Sequence, residues 1–196
     1  AWQTLVAKFS ETAPGALTIR PADRVKYADS ADAAALEKEW RAMTDVHQFF
    51  GLLRKHNLSR QQAFRLVSDD LACRIDNNAL PGLLETVRQG GNEIMIFVGN
   101  RGCVQIFTGA LEKLAPMRGW INIFNSDFTL HLREDSVDEI WVTRKPTSDG
   151  HVTSVELFAK DGTQIAQLYG QRSEGHPEQQ QWRAQVARLC AEGQPA

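Results

Sequence analysis

Asn92-Glu-Ile-Met-Ile-Phe-Val-Gly-Asn-Arg-Gly-Cys-Val-Gln-Ile-Phe-Thr-Gly109 is the stretch where the chain changes its hydrophobic period. Before Asn92 apolar residues recur at helical spacing. From Asn92 onward they recur at every second position, the period of a strand whose side chains alternate between two faces. Glu93–Val98 and Cys103–Gly109 therefore read as strands, joined at Gly99-Asn100-Arg101-Gly102. That turn leads into a strand and no helix, so it reads as a hairpin rather than a phosphate cradle.

Toward the C-terminus the same pattern continues. Lys113–Met117, Trp120–Phe124, Phe128–Arg133, Glu139–Lys145, Val152–Ala159 and Gln164–Tyr169 read as strands, broken at Asn125-Ser-Asp127, Ser148-Asp-Gly150 and Asp161-Gly162. Eight strands on such short connections must be antiparallel, because parallel crossovers need about a dozen residues or more. Upstream, Ala33–Met43 and Asp45–His56 read as helices, the second with Thr44 as its N-cap. Ser59-Arg-Gln-Gln62 fits a capping box opening a helix to about Val67. A short extended piece at Ala72–Ile75 precedes a helix at Ala79–Gln89, ended by Gly90-Gly91. His176–Cys190 reads as a closing helix. The expectation is an α+β fold, a large antiparallel meander framed by helices.

The 196 residues are 42% apolar and 23% charged, enough for one domain with a sizeable core. Lys and Arg number 22 against 24 Asp and Glu, a net charge of −2 that supplies no general drive toward nucleic acid or an anionic membrane. No apolar run has the length of a spanning helix and no signal-peptide pattern stands at the front, so neither nucleic acid nor membrane insertion is expected. Cys73, Cys103 and Cys190 are odd in number and widely spaced. They suggest no disulfide framework and a reducing cytoplasm.

The chain opens in mid-pattern, with Trp2, Leu5, Val6 and Phe9 at helical spacing. Trp2-Gln-Thr-Leu-Val6-Ala7-Lys8-Phe9 has the same form, W-x3-V-A-basic-apolar, as Trp182-Arg-Ala-Gln-Val186-Ala187-Arg188-Leu189. Either two unrelated amphipathic helices coincide, or the protein is duplicated. The duplicated reading divides the chain into the closing helix of a preceding repeat (1–10), a surface linker marked by Pro14, Gly15 and Pro21 (11–32), and a second repeat (33–196).

No P-loop, dinucleotide fingerprint, H-E-x-x-H or G-x-S-x-G motif is present. Of the five histidines, His56, His131, His151 and His176 read as structural. His47 differs: it sits at the margin of the stripe Val46, Phe49, Phe50 and Leu53, with Gly51 one turn later on its own side. A glycine inside a helix costs about 1 kcal/mol relative to alanine, and close approach of a flat ligand would recover it. A boundary histidine beside a helix-packing glycine is the alternative. A second group is polar and cationic: Gln167 and Tyr169 on one face of a strand, Arg172 just beyond it, Lys145 at another strand's end, and Arg60 with Gln61 in the helix after His47. Such groups suit ligand carboxylates, and equally a solvated sheet edge.

Met43-Thr-Asp-Val-His47-Gln-Phe-Phe, Ser59-Arg-Gln-Gln-Ala-Phe64, the 92–109 stretch, Trp141-Val-Thr-Arg-Lys-Pro-Thr147 and Gln164-Ile-Ala-Gln-Leu-Tyr-Gly-Gln-Arg172 together resemble the C-terminal half of the bacterial haemin-degrading and haem-transport factors of the HemS/ChuS type. The resemblance runs from about Glu39 to Leu189. It implies two tandem repeats, each a large antiparallel sheet with flanking helices, of which this chain carries the second. It implies that His47 is the axial ligand of haem iron, and that Arg60, Lys145, Tyr169 and Arg172 hold propionates or line the pocket beside Gln61 and Gln167. Phe50, Phe97 and Phe107 are candidates for the porphyrin plane. An opposing arginine would come from the first repeat.

The implied function is haem binding and oxidative cleavage of the porphyrin ring, a haem oxygenase-like activity that releases iron for bacterial haem utilisation. Haem is then both cofactor and substrate. The alternative is a non-catalytic intracellular haem carrier or storage protein. The implied partners are haem, an inner-membrane haem importer, an electron donor and the N-terminal repeat of the same protein, in the cytoplasm.

Overall fold

The computed structural model describes residues 1–10, 15–16, 25–100, 102–173 and 175–192. Most of the expected linker and Arg101 of the first hairpin lie outside the described residues. Helix α1 (Trp2–Phe9) has no buried residue. Helix α2 (Ala33–Arg41) starts at Asp32, whose carboxylate accepts from the Ala35 amide at 3.0 Å. Helix α3 (Gln48–His56) starts later than its pattern suggested, and Thr44 is not its N-cap. The side chains of Gln48 and Asp45 take the Thr44 and His47 amides, so residues 44–47 close as a turn ahead of the helix. Helix α4 (Arg60–Leu66) opens with the expected reciprocal box, Ser59 and Gln62 each bonded to the other's amide.

Strand β1 (Ala72–Ile75) and helix α5 (Ala79–Gly90) follow, the helix stopped by Gly91 in the left-handed region. Then come β2 (Ile94–Gly99), β3 (Val104–Gly109), β4 (Trp120–Phe124), β5 (Thr129–Arg133), β6 (Glu139–Thr147), β7 (Gly150–Phe158) and β8 (Gln164–Gly170). Lys113–Met117 forms only isolated bridges to Ile123 and Trp120. Pro116, lacking an N–H, cannot continue a ladder there. The closing helix α6 (Gln180–Glu192) begins four residues later than expected, because Glu178 turns inward and takes the Thr153 amide at 2.8 and 3.0 Å.

Every strand pair is antiparallel, but the order departs from a simple meander. Six strands form one sheet in the order β1-β6-β7-β8-β2-β3, while β4 and β5 leave it as a separate hairpin. One sheet face carries Ile94, Ile96, Val142, Val155, Leu157 and Leu168 against α5, α6 and the β4–β5 hairpin. Trp182 of α6 is wholly buried there, its indole N–H bonded to the Thr153 carbonyl at 3.0 Å. On the opposite face, at the β1–β6–β7 end, α2–α4 pack Trp40, Phe49 and Phe64 on Trp141 and Phe158. Burying each such side chain contributes about 1.5–3 kcal/mol. Both sheet faces therefore carry apolar clusters, and the second is roofed only at one end.

One expectation fails outright. Cys73 of β1 and Cys190 of α6 form a disulfide across 117 residues of sequence. Spacing arguments cannot see this pair, because β1 and α6 become neighbours only when the sheet is built. Cys103 is free and exposed.

Candidate functional site

Strand register sets the floor of the site. On the second sheet face, Trp141, Glu156, Gln167, Phe97 and Ile106 form one row across five strands, and Thr143, Ser154, Tyr169, Met95 and Thr108 the next, with Lys145 opposite Val152 beyond. Helices α2–α4 cover the first end of these rows. The uncovered end is a cleft of about 350 Å³, walled by Val46, His47, Phe49 and Phe50 before and within α3, and by Arg60 of α4. Its floor is Met95, Phe97, Val104, Val152 and Tyr169, with Lys145, Gln167 and Arg172 as polar groups. Phe50, Val104 and Ile106 are more than half exposed, so the cleft offers apolar surface to solvent. The volume lies in the range of small-ligand pockets.

The fold thus brings together His47, Arg60, Lys145, Gln167, Tyr169 and Arg172, six residues drawn from three parts of the chain. Gln61 is not among them. It lies on the far side of α4, where its amide donates to Glu139 Oε2 at 2.7 Å. Phe107 is also elsewhere: it stacks on Phe128 at 4.1 Å in the other core. Phe50 and Phe97 do face the cleft. Gly51 is open, since a Cβ added there meets nothing within 4 Å among the described residues, which removes helix packing as its reason.

Under the cleft lies a group that the sequence did not announce. Glu156 is wholly buried and accepts from Arg60 Nε at 2.8 Å, Arg60 Nη2 at 3.0 Å, Lys145 Nζ at 2.8 Å and Gln164 Nε2 at 2.7 Å. Burial alone would raise its pKa, but Arg60 and Lys145 override that and hold it far below the usual carboxylate range. Lys145 also donates to Thr143 and Ser154, so its three protons all have acceptors. Burial lowers the Lys145 ammonium to about 8 despite the attraction of Glu156, and Arg60 pushes the same way. Tyr169 is bonded to Ser154, and burial with the charge of Glu156 raises its phenol. Arg60 spreads its guanidinium over Phe49 at 5.0 Å and Phe50 at 5.7 Å. Two cations against one carboxylate leave the floor one positive charge in surplus.

His47 stands at the rim, its side chain 83% exposed, with Nδ1 2.7 Å from Asp45 Oδ1. Asp45 is held below its ordinary pKa by the His47 amide, then by the His47 ring, with a smaller contribution from Arg172. The remaining histidines lie away from the cleft lining. His131 bonds Asn122 at 2.6 Å on the β4–β5 hairpin, and His56 approaches Glu39 at 3.5 Å.

Comparison with known proteins follows the same lines. Residues 57–189 match the family described as the haemin-degrading HemS.ChuX domain. The hemin transport protein HmuS of Yersinia pestis is 61% identical over 190 residues, and HemS of Yersinia enterocolitica 60%; each match covers 96% of this chain and 55% of the relative. The chain therefore spans about half the length of the curated relatives it matches. Among solved structures, the heme-degrading enzyme ChuS of Escherichia coli O157:H7 superposes with a TM-score of 0.89 at 64% identity, covering 96% of this chain and 55% of that one. Holo-PhuS, a heme-binding protein of Pseudomonas aeruginosa, gives 0.91 at 38% identity, with 96% and 56% covered. ChuX, at 12% identity and a TM-score of 0.65, shares the fold. A family profile over two thirds of the chain, and relatives above 60% identity along nearly all of it, show that the chain belongs to the haemin-degrading HemS/ChuX domain family.

Proposed function

We propose that this chain holds haem in the cleft between α3 and the open end of the sheet, as the C-terminal repeat of a two-repeat bacterial haem-utilisation protein. With an external electron donor and dioxygen, the whole protein oxidatively opens the porphyrin ring and releases iron. The observation that carries this reading is the convergence on one apolar cleft of an exposed imidazole and a net positive floor. His47 is the axial ligand, with Nδ1 occupied by Asp45 and Nε2 left for iron. Phe50, Phe97 and Met95 supply apolar surface for the porphyrin plane.

The floor's surplus charge and Arg172 together match two propionates. Lys145 already spends its three donors on Glu156, Thr143 and Ser154, so it acts chiefly through charge, while Arg60 gives its Nε and one Nη2 bond to Glu156. Arg172, whose charge reaches Asp45 at the rim, is the direct carboxylate contact. Tyr169 and Gln167 complete the polar edge. An importer that delivers haem, and a first repeat ending in α1, fit the same reading.

The test is optical. Ferric haemin titrated into the protein should give a saturable Soret band, and His47→Ala should weaken binding and remove most of the specific haem spectrum while leaving the fold intact. Ascorbate or a reductase in air should then bleach the band, with a new tetrapyrrole absorbance and free iron, and catalase should not prevent it. A carrier reading has its own support, since HmuS and HemS are described as hemin transport proteins. A spectrum stable to reductant and air would select it. Haem binding that is not saturable would reject both.

No helix among the described residues is long and apolar enough to cross a membrane. The Cys73–Cys190 bond counts against inferring a reducing compartment from the cysteines, so the cytoplasmic placement rests on the family resemblance. Acid-trapped thiol labelling of the protein in cells decides it: three labelled cysteines support the cytoplasm, and one points to an oxidising compartment.

A further inference from the structure

Asp45 and His47 make a close pair of which the turn ahead of α3 uses only one half, the bond to the His47 amide. One oxygen, Asp45 Oδ1, accepts both the His47 amide and its ring Nδ1, each at 2.7 Å. Both side chains are more than half exposed, and an exposed pair of this kind contributes little to stability. The turn ahead of α3 is closed by the amide bond and by Thr44 and Gln48, which bond each other from amide to side chain and from side chain to hydroxyl, so the ring contact is not needed for it. What the pair does fix is the imidazole. With Nδ1–H donated to a carboxylate, the ring is held in one orientation and one tautomer, and Nε2 carries the lone pair.

Resting on the assignment of His47 as axial ligand, we propose that Asp45 is the positioning residue that orients this imidazole and makes its Nε2 a stronger donor to haem iron. A carboxylate behind a metal-ligating histidine raises the basicity of the ligand nitrogen, and removing it typically costs 10–100-fold in metal affinity. Asp45 also feels the charge of Arg172.

The test uses the full chain loaded with ferric haemin and then reduced without oxygen. In Asp45→Asn and Asp45→Ala, haem affinity should fall about 10–100-fold, the ferrous iron–histidine stretch in resonance Raman should move to lower frequency, and the midpoint potential should become more positive. Asp45→Glu should restore part of each. Far-UV circular dichroism and the urea midpoint should stay at wild type in Asp45→Asn, which keeps an oxygen for the His47 amide, and a merely structural role would not allow that together with the spectral shift. If stretch and potential are unmoved in Asn and Ala while His47→Ala abolishes the stretch, the positioning role is wrong and the ligand assignment stands. If His47→Ala keeps the wild-type stretch, the ligand assignment fails and this proposal fails with it.

Discussion

Glu156→Gln tests the floor of the cleft. The substitution keeps volume and some hydrogen bonding but removes the one negative charge that faces Arg60 and Lys145, both largely buried. Breaking a buried pair from one side costs about 3–5 kcal/mol, because the partner charge is left uncompensated. The two cations answer differently. Lys145 stands at about 8 with Glu156 raising it, so without that carboxylate it falls further and sheds its proton at neutral pH. Arg60 cannot deprotonate and stays charged under Phe49 and Phe50. The cost should therefore fall near the low end, about 3 kcal/mol, and rest mostly on Arg60. Urea unfolding at pH 7 should show a lower midpoint with an unchanged slope. Lys145→Met added to Glu156→Gln should cost little more, and the cycle should show a coupling of at least about 1 kcal/mol. A loss below about 1 kcal/mol for the single change, or additive effects in the double, would refute the view that these three side chains act as one charged unit.

Other expectations follow from the same contacts. Ligand carboxylates arriving over the floor should raise the Lys145 pKa from about 8, so the complex holds more protons than the free protein between the two values. Haemin binding near pH 8.5 should therefore take up protons, seen as buffer-dependent heats in calorimetry, and affinity should fall as pH rises above about 8; uptake of none would remove Lys145 from the site. Glu156 works in the other direction. Its lowered pKa means its contribution to stability is present above the ordinary glutamate value of 4.5 and is lost as pH falls, which acid unfolding of wild type against Glu156→Gln measures. Gly170→Ala should destabilise by about 1–3 kcal/mol, since its Cβ would lie 2.7 Å from Cγ of the buried Trp182; a melting temperature within a degree of wild type would contradict that. Arg172→Ala should weaken haemin binding by about 1 kcal/mol, the scale of a partly exposed charge-assisted contact, with no change in the Soret position.

Reading the sequence forward, the strands were legible because both their alternation and their turns are local signals. Glu93–Val98 and Trp120–Phe124 are within a residue of the observed β2 and β4. Their order was not legible, since nothing local says that β8 pairs with β2 and that β4–β5 leave the sheet. The same limit hid the Cys73–Cys190 bond. At the site, His47, Lys145 and Arg172 could be singled out because each is a polar group at the edge of an apolar pattern, and the resemblance named them. Glu156 was missed although a signal exists: in Val152-Thr-Ser-Val-Glu-Leu-Phe158 the residues Ser154 and Glu156 share one strand face. A carboxylate in a run that reads as core calls for a buried cation, and Arg60 and Lys145 were in hand. Gln61 was misplaced for a simple reason. Neighbouring helix residues point about 100° apart, so Arg60 over the cleft puts Gln61 toward Glu139.

The position of the cleft follows from a mismatch between sheet and roof. On the second face the six strands carry Trp141 on β6 and Phe97 and Ile106 on β2 and β3, with Glu156 and Gln167 between them, but α2–α4 seal only the end nearest β1. Leaving Val104, Ile106 and Phe50 in water is unfavourable by about 25 cal/mol per Å² of apolar area, and a folded chain keeps such a surface where something covers it in use. At the seam between sealed and open face lie Arg60, Lys145 and Glu156, which hold the first turn of α4 against β6 and β7. The charged unit is thus placed where the roof stops, and its surplus positive charge faces the opening. An occupant that is flat and apolar along most of its area, and anionic at one edge, meets both demands at once: it covers the exposed face and neutralises the seam. A purely apolar ligand would leave the charge unmatched, and a small anion would leave the face wet. Binding of a metal-free porphyrin dicarboxylate separates these contributions from the iron bond. It should still saturate in His47→Ala and lose affinity with Arg172→Ala. Loss of binding in His47→Ala alone would mean that the imidazole, and not the face and its seam, selects the ligand.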